Sequence, residues 1–317
     1  MKAGLGRIRA LGAALALLAT SCGAASLRAC EQRAEFSAGQ KDVILRFAAV
    51  VKEQLAASGS PVALVARSGM DLRRLQVRYS HEGVALDGDG SGAWKVRELY
   101  YACDERRPRI YDEGLAGFLL GTDDPGTGWV SIVLLPPAPA QALARTATDK
   151  HHALGVLGAT YSANAYPFST RFQNCNQWVM ELLADAWDAD DDAPPVDASA
   201  PGPADSTAAR ARAQRWLRAQ GYLPTVFTVS ARPMTWLADI VPWMSNADHP
   251  PEELAHGRYD VSMPSSIETF VQATVPGATR LEVCHAGRRV VVHRGWDAIA
   301  DGCVAGPGDE TIALGTH

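Results

Sequence analysis

The pattern of apolar and polar residues changes between two periodicities along the chain. Apolar residues recur every three or four positions in several segments, which predicts amphipathic helices there. These helical segments are 41–57, 113–120, 140–157, 207–220, 236–244 and 265–275. Strict alternation or short apolar runs predict strands elsewhere. These extended segments are 62–65, 75–86, 94–101, 129–135, 281–284 and 290–293. Helices combined with hairpins in this way predict an α+β fold with an antiparallel sheet.

A further helix begins at a cysteine. Apolar side chains between positions 178 and 187 share one helical face. Asn174 and Gln177 fit a capping box, in which the Asn side chain accepts from the helix start and the Gln side chain reaches back to the cap. Cys175 is then the first helical residue, where free N–H groups and the helix dipole stabilise a thiolate or an oxyanion. We interpret Cys175 as a candidate nucleophile, with a buried free thiol or a disulfide as the structural alternative.

The strands at 75–86 and 94–101 predict a hairpin around the turn at 87–92. His81 and Glu98 each share a strand face with mostly apolar residues. If the hairpin folds symmetrically about its loop, the two residues lie directly opposite each other, with their Cβ atoms roughly 5 Å apart. An imidazole beside a carboxylate is the arrangement that orients a general base. The alternatives are an ordinary surface pair and a one-residue slip in register, which would separate the two side chains.

The same turn matches a calcium-binding loop. The fixed positions of the EF-hand pattern are occupied by Asp87, Asp89, Ser91, Gly92 and Glu98. An EF-hand loop lies between two helices, whereas both flanks here alternate with the period of a strand. Calcium binding through residues 87–98 is therefore kept as a further alternative.

Three residues before the helix are candidate oxyanion or substrate contacts: Tyr161, Gln173 and Asn174. Core packing is the alternative explanation for a single aromatic residue in this position. The histidines show no convincing metal-ligand spacing, and the adjacent His151 and His152 do not share a helix face. The sequence therefore predicts no metal site and no cofactor.

The N-terminus has the composition of an export signal. Basic residues precede an apolar run that is too short to span a bilayer, and small residues follow it. We expect residues 1–25 to be a signal peptide, and Ala19 to Cys22 also resembles a lipoprotein cleavage box. Residues 26–317 are then expected to form a single domain in the periplasm or cell envelope. Within it we expect an acidic loop at 188–206 and a C-terminal embellishment made of helices and a hairpin.

Four cysteines remain when the signal cysteine and the candidate nucleophile are set aside: Cys30, Cys103, Cys284 and Cys303. An even number suits an exported protein, in which disulfides persist. Of the three possible pairings we favour Cys284 with Cys303, which bracket a compact unit, and by elimination Cys30 with Cys103. The sequence also permits a bridge from Cys103 to Cys175, which would remove the candidate nucleophile.

The charge balance excludes some classes of partner. Lys and Arg number 30 against 35 for Asp and Glu, and no basic stripe interleaves with aromatic residues, so nucleic acid is not an expected partner. No segment after the N-terminus approaches the roughly 20 apolar residues of a membrane helix, so we expect membrane attachment only through a lipidated Cys22. The expected partner is a small-molecule, peptide or peptidoglycan-type substrate.

Two segments resemble a known group of enzymes. Tyr79–Ala85 and Asn174–Val179 together resemble the circularly permuted branch of the NlpC-like papain fold, in which a strand-borne His precedes a helix-borne Cys. More closely, Leu115–Phe118, Gly121–Pro125 and Asn174–Val179 resemble an uncharacterised bacterial family, domain-of-unknown-function family 2145. That similarity extends from about Val43 to the C-terminal hairpin.

The closer family implies no activity. The permuted papain-like group implies a helix packed on an antiparallel sheet, with a Cys, a His and a third polar residue that act on amide or ester bonds. By position these roles fall on Cys175, His81 and Glu98, and Tyr101 or Asp104 compete for the third. The expected function is an exported thiol hydrolase or acyltransferase, with cell-wall peptides as the first candidate substrate. The main alternative is a non-catalytic envelope protein or lipoprotein that keeps the fold for binding.

Overall fold

The computed structural model describes residues 36–88, 90–188, 203–229, 241 and 243–315. Several predicted features lie outside the described residues: the signal peptide with Cys22, Cys30, Asp89, most of the acidic loop and most of the helix at 236–244. None of the helices that the structure describes is long and apolar enough to cross a membrane.

The described part of the chain contains helices and strands in mixed order. The helices are α1 (Ala38–Ala57), α2 (Leu115–Leu119), α3 (Pro137–Thr148), α4 (Lys150–Gly155), α5 (Cys175–Trp187), α6 (Pro203–Ala219), α7 (Pro251–Ala255) and α8 (Pro264–Thr274). The strands are β1 (Val62–Arg67), β2 (His81–Leu86), β3 (Lys95–Ala102), β4 (Arg107–Gly114), β5 (Thr127–Leu134), β6 (Thr225–Thr228), β7 (Arg258–Val261), β8 (Thr279–Ala286), β9 (Arg289–Arg294) and β10 (Glu310–Ala313).

Eight of these strands form one antiparallel sheet in the order β10-β9-β8-β5-β1-β2-β3-β4, and β6 pairs with β7 in a separate sheet. The prediction of an α+β fold with an antiparallel sheet is confirmed. The C-terminal hairpin of β8 and β9 is not an embellishment, because β8 pairs with β5 and so continues the main sheet. The sequence patterns also missed β4, β6, β7 and β10, which are short or rich in charged residues.

Helices cover both faces of the main sheet. On one face, α1 and α2 contribute Phe47 and Phe118 to a core that includes Val65 and Val96 of the central strands. On the other face, α5 contributes Trp178 to a core with alternate residues of the same strands. Because both faces of β1 and β2 are covered, every residue in these two strands is buried.

The start of one strand and the start of one helix differ from the prediction. The strand predicted from position 75 begins only at His81, because Gln76 adopts a left-handed conformation (φ 58°) at the end of a 3-10 turn. Asp112 does not cap a helix as predicted. It lies in β4, where its carboxylate pairs with the Arg97 guanidinium across the strands (2.6 Å), and α2 begins after Gly114.

The helix predicted at 140–157 is divided into α3 and α4 at Asp149. The backbone of Asp149 is extended (ψ 121°), and its side chain accepts a hydrogen bond from the N–H of His151. Asp149 therefore caps a new helix instead of continuing the first one.

The cysteines that the structure describes include one free thiol. Cys284 and Cys303 form a disulfide as predicted, with their Cα atoms 5.8 Å apart. Cys103 is disulfide-bonded as well, and its predicted partner Cys30 lies outside the described residues. Cys175 is free, so the bridge from Cys103 to Cys175 does not form.

A buried ion pair fixes the segment that leads into α5. Glu181 of α5 and Arg210 of α6 are 0% and 1% exposed, and Arg210 Nε lies 2.7 Å from Glu181 Oε2. Arg210 also donates to the backbone oxygen of Phe172 (2.8 Å). Gln173 and Gln214 donate to the same carboxylate. The chain immediately before Cys175 is thus tied to two helices by buried polar contacts.

We expect the Arg210→Met substitution to lower the free energy of unfolding by about 3–5 kcal/mol, because it leaves the Glu181 charge buried without its partner. The matched control Arg212→Met lies on the same helix and removes a partly exposed pair with Asp185, so it should cost less than about 1 kcal/mol. Urea unfolding of both variants measures the difference. Equal losses would contradict the importance of the buried pair.

Candidate active site

Asn174 organises the first turn of α5. Its Oδ1 accepts a hydrogen bond from the N–H of Gln177 (2.7 Å), as predicted for a helix cap. The return half of the predicted capping box does not form, because the Gln177 side chain donates to the backbone oxygen of Pro167 (3.2 Å) and to Glu181 (3.3 Å) instead. Cys175 is nevertheless the first residue of the helix, as the sequence predicted.

The first turn of α5 lies beside the start of β2. Cys175 is buried, with 6% of its surface exposed. The neighbouring Asn176 side chain donates to the backbone oxygens of Ser80 (3.4 Å) and Ser262 (3.1 Å). Because Ser80 directly precedes His81, these hydrogen bonds hold the thiol-bearing turn next to the candidate base.

His81 and Glu98 are in contact, but not in the predicted register. Val84 pairs with Arg97 in the ladder between β2 and β3, which shifts the strands by two residues from the symmetric hairpin. A two-residue shift keeps both side chains on the same sheet face, so they meet diagonally and not directly opposite each other. His81 Nε2 and Glu98 Oε2 are 2.5 Å apart, and Glu98 has no exposed surface.

Gly83 provides the space for this diagonal contact. A Cβ atom at position 83 would lie 2.6 Å from the Val96 side chain and 3.2 Å from the Glu98 Cβ atom. A larger residue would therefore push β3 and Glu98 away from β2. The hydrogen atom of glycine at this position is a condition for the contact between His81 and Glu98.

The surroundings of His81 favour its charged form. Burial by itself lowers the pKa of His81, but negative charge on Cys175 and Tyr100, together with hydrogen bonds to Cys175 and Glu98, outweighs it and holds this pKa well above its ordinary value. Cys175 thus lies close enough for its charge to act on the imidazole.

Two of the three predicted oxyanion contacts are occupied elsewhere. The Gln173 side chain is completely buried, and it bonds to Val156, Glu181 and Gly158. Asn174 is 1% exposed, and its side chain caps α5. The Asn174 Nδ2 group donates to the backbone oxygens of Ala163 (3.2 Å) and Ser262 (3.4 Å). Both side chains therefore position the helix start, and their role as oxyanion or substrate contacts stays a prediction.

Tyr161 remains a candidate substrate contact. Burial raises the pKa of Tyr161 well above its ordinary value, and the charge of Cys175 and a hydrogen bond with it act in the same direction. The phenol is therefore protonated beside the thiol and can donate a hydrogen bond. Within the described part of the chain, no residue accepts a hydrogen bond from the backbone N–H groups of Cys175 and Asn176, so these groups can face an oxyanion too.

The two competitors for the third position lie apart from His81. The Tyr101 ring packs against the Tyr161 ring with their centroids 5.3 Å apart. Asp104 is exposed in the turn that follows β3. Glu98 is the residue that contacts the imidazole.

The calcium alternative lacks the context that it requires. The turn at 87–92 is flanked by β2 and β3, whereas an EF-hand loop needs a helix on each side. Glu98, the last residue of the pattern, is engaged with His81 inside the sheet. Among the described residues, no group of three His, Cys, Asp or Glu side chains could hold a metal ion.

A second buried carboxyl group, not predicted from the sequence, lies near the thiol. Glu82 is 1% exposed, and its Oε2 has no hydrogen-bond partner among the described residues. Burial raises the pKa of Glu82 well above its ordinary value, and the charges of Glu268 and Cys175 add to this effect against the opposing influence of His81. A signal was present in the sequence, because Glu82 shares its strand face with the apolar Val84 and Leu86.

Comparison with known families identifies the family to which the chain belongs. Residues 54–271, more than half of the chain, match the family described as "Uncharacterized protein conserved in bacteria (DUF2145)". The chain belongs to this family, and the matched region contains Cys175, His81 and Glu98. No curated protein and no solved structure shows a significant match to the chain.

We expect Glu82→Gln to stabilise the protein more at pH 8 than at pH 4.5. The raised pKa means that the unfolded state releases this proton above its ordinary pKa of 4.5 while the folded state keeps it, so the wild type loses stability as the pH rises toward the folded pKa. Gln has no such proton, and we expect a gain of about 1–3 kcal/mol at pH 8. Chemical unfolding at the two pH values measures it.

The control for this experiment is Glu53→Gln on the exposed surface of α1. Because this side chain is exposed, its replacement should change the free energy of unfolding by no more than about 0.5 kcal/mol at either pH. A Glu82→Gln variant that loses stability on going from pH 4.5 to pH 8 relative to the wild type would show that the folded protein uses the ionised carboxylate.

Proposed function

We propose that the chain is a thiol hydrolase or acyltransferase that acts on an amide or ester bond. The observation that carries this proposal is the arrangement of a free thiol at the first residue of α5 beside His81, whose Nε2 lies 2.5 Å from Glu98. In this proposal Cys175 is the nucleophile, His81 is the general base and Glu98 orients the imidazole.

The order of these residues supports a papain-like topology in permuted form. The base and its carboxylate lie on adjacent strands that precede the thiol-bearing helix in the chain, and that helix packs on the same sheet. The resemblance of Tyr79–Ala85 and Asn174–Val179 to the permuted NlpC-like group has the same order. The proposal therefore assigns the chain the chemistry of that group.

The proposed reaction has two half-steps. His81 takes the thiol proton, the sulfur of Cys175 attacks the acyl carbon, and the carbonyl electrons move onto oxygen, where the helix-start N–H groups and Tyr161 stabilise the charge. The C–N or C–O bond then breaks, and the leaving group takes the proton from His81. Water, or another nucleophile, gives a proton to His81 and attacks the thioester, which releases the acyl group and restores the thiol.

The proposed substrates are peptides or peptidoglycan-type molecules in the cell envelope. This part rests on the composition of residues 1–25, which is typical of an export signal, and on the resemblance to the permuted papain-like group. The bridge between Cys284 and Cys303 is compatible with an oxidising compartment. Lipidation at Cys22 would attach the enzyme to a membrane.

We expect Cys175 to react rapidly with iodoacetamide at pH 6 and His81→Ala to lower this rate by at least about tenfold. An ordinary thiol with a pKa of about 8.5 is only about 0.3% ionised at pH 6. A neighbouring imidazolium that stabilises the thiolate can therefore raise the alkylation rate many-fold. Glu98→Gln should lower the rate as well, because it removes the charge that stabilises the imidazolium. Mass spectrometry of the Cys175 peptide measures each rate.

The control for this experiment is His152→Ala, because His152 is an exposed histidine that pairs with Asp185. Its variant should alkylate Cys175 at the wild-type rate. A wild-type Cys175 that reacts no faster than a free cysteine, or that keeps its rate without His81, would overturn the proposed chemistry.

A second candidate function is that of a binding protein with the same fold. The burial of Cys175 at 6% exposure favours it, since a nucleophile must meet its substrate. A described surface cavity of about 480 Å³ lies elsewhere, lined by residues that include Gln54, Arg280 and Trp296. A slow thiol together with wild-type stability of Cys175→Ser would favour this function.

A further inference from the structure

A buried arginine lies beside the candidate catalytic histidine. Arg67 of β1 pairs directly with His81 in the ladder between β1 and β2, so the two side chains project to the same face of the sheet. Only 4% of Arg67 is exposed, and its guanidinium lies 5.1 Å from the centre of the Phe118 ring. A buried guanidinium costs several kcal/mol unless its surroundings bind it, so its position calls for a physical reason.

Two glycines leave the space that this guanidinium occupies. A Cβ atom at Gly69 would lie 2.6 Å from Arg67 Nη1, and one at Gly121 would lie 2.8 Å from Arg67 Cζ. Both distances are shorter than any ordinary van der Waals contact, so a side chain at either position would displace the guanidinium. The N–H of Asp123 donates to the Gly69 oxygen (3.1 Å), which joins the two glycine-bearing loops.

The bound guanidinium reaches the candidate active site through Tyr100. Arg67 donates to the backbone oxygen of Gly121 and to the hydroxyl oxygen of Tyr100. The Tyr100 ring in turn packs against the His81 ring, with the centroids 4.8 Å apart and the planes at 34°. Continuation of the β2–β3 register places Tyr100 opposite His81, so these contacts cross three neighbouring strands.

We propose that Arg67 is a positioning residue for His81. Its guanidinium, which lies between Gly69 and Gly121, fixes the Tyr100 hydroxyl, and the Tyr100 ring fixes the imidazole in the orientation in which Nε2 contacts Glu98. This inference rests on the proposed function, because it explains how the candidate base of that site is held. It also gives a role to the Gly121–Pro125 segment, which carries part of the family resemblance and lies away from the thiol.

Substitution of Arg67 distinguishes a role in positioning His81 from a purely electrostatic effect on the pKa of His81. The groups that face His81 are Arg67 from β1, Glu98 and Tyr100 from β3, and Cys175 from α5. Loss of a positive charge alone would raise the pKa of His81 further, because a nearby cation disfavours the imidazolium. Loss of positioning would lower the pKa toward the ordinary value of about 6.5, because the contacts with Cys175 and Glu98 would loosen.

The experiment follows the His81 ring by NMR titration and the alkylation of Cys175 at pH 6 in three variants. We expect Arg67→Met to lower the His81 pKa and to slow alkylation by about tenfold, since a displacement of about 1 Å at a catalytic group costs up to about a hundredfold. Gly121→Ala keeps every charge and moves only the guanidinium, so it should change both quantities in the same direction. This second variant decides the question if Arg67→Met does not fold.

The matched control is Arg280→Met, which removes another buried strand arginine whose ion pairs are with Glu268 and Glu282. It should leave the His81 titration and the alkylation rate as in the wild type. A raised or unchanged His81 pKa in Arg67→Met, or an unchanged pKa in Gly121→Ala, would overturn the positioning role. If wild-type Cys175 is unreactive, the proposed function fails, and the NMR titration still decides whether Arg67 positions His81.

Discussion

The contact between His81 and Glu98 is the interaction on which the candidate site depends. It places a carboxylate with no exposed surface against a buried imidazole, and only one of the two Glu98 oxygens has a hydrogen-bond partner among the described residues. A buried carboxylate is costly unless a positive charge lies close to it, so the sheet favours an imidazolium at His81. The β2–β3 register and the absence of a side chain at Gly83 allow this contact. The cap of α5 sets the position of Cys175 relative to the same pair.

The chain buries several carboxyl groups, and their partners decide what each one does. Glu181 meets Arg210 and two glutamine amides, and the result is a fixed approach to α5. Glu82 has no such partner, and its raised pKa marks it as a group that keeps its proton. Two equally buried glutamates thus differ in role because their nearest charges differ. Glu181 forms an ion pair that fixes the chain, whereas Glu82 stays protonated and neutral.

The parts of this architecture that depend on local order were predictable from the sequence. The helix start at Cys175, the facing of His81 and Glu98 and the bridge from Cys284 to Cys303 follow from periodicity, capping and spacing. The register was not predictable, because a hairpin with a long turn can shift by two residues without changing which side chains share a face of the sheet. The contacts of Gln173 were not predictable either, because nothing local indicates that Glu181 and Val156 would accept from its amide.

The pairing of β5 with β8 has a consequence for how the domain is made. Thr127 pairs with Ala286 and Leu134 with Thr279, so the centre of the sheet joins segments that are far apart in the chain. Such long-range pairing is slow, because a large loop must close before its contacts form. Until β8 arrives, one edge of β5 presents unpaired backbone groups and apolar side chains, which is the kind of surface on which aggregation begins. In the folded domain β8 therefore protects this edge of β5 from other strands, and it contributes to the core at the same time.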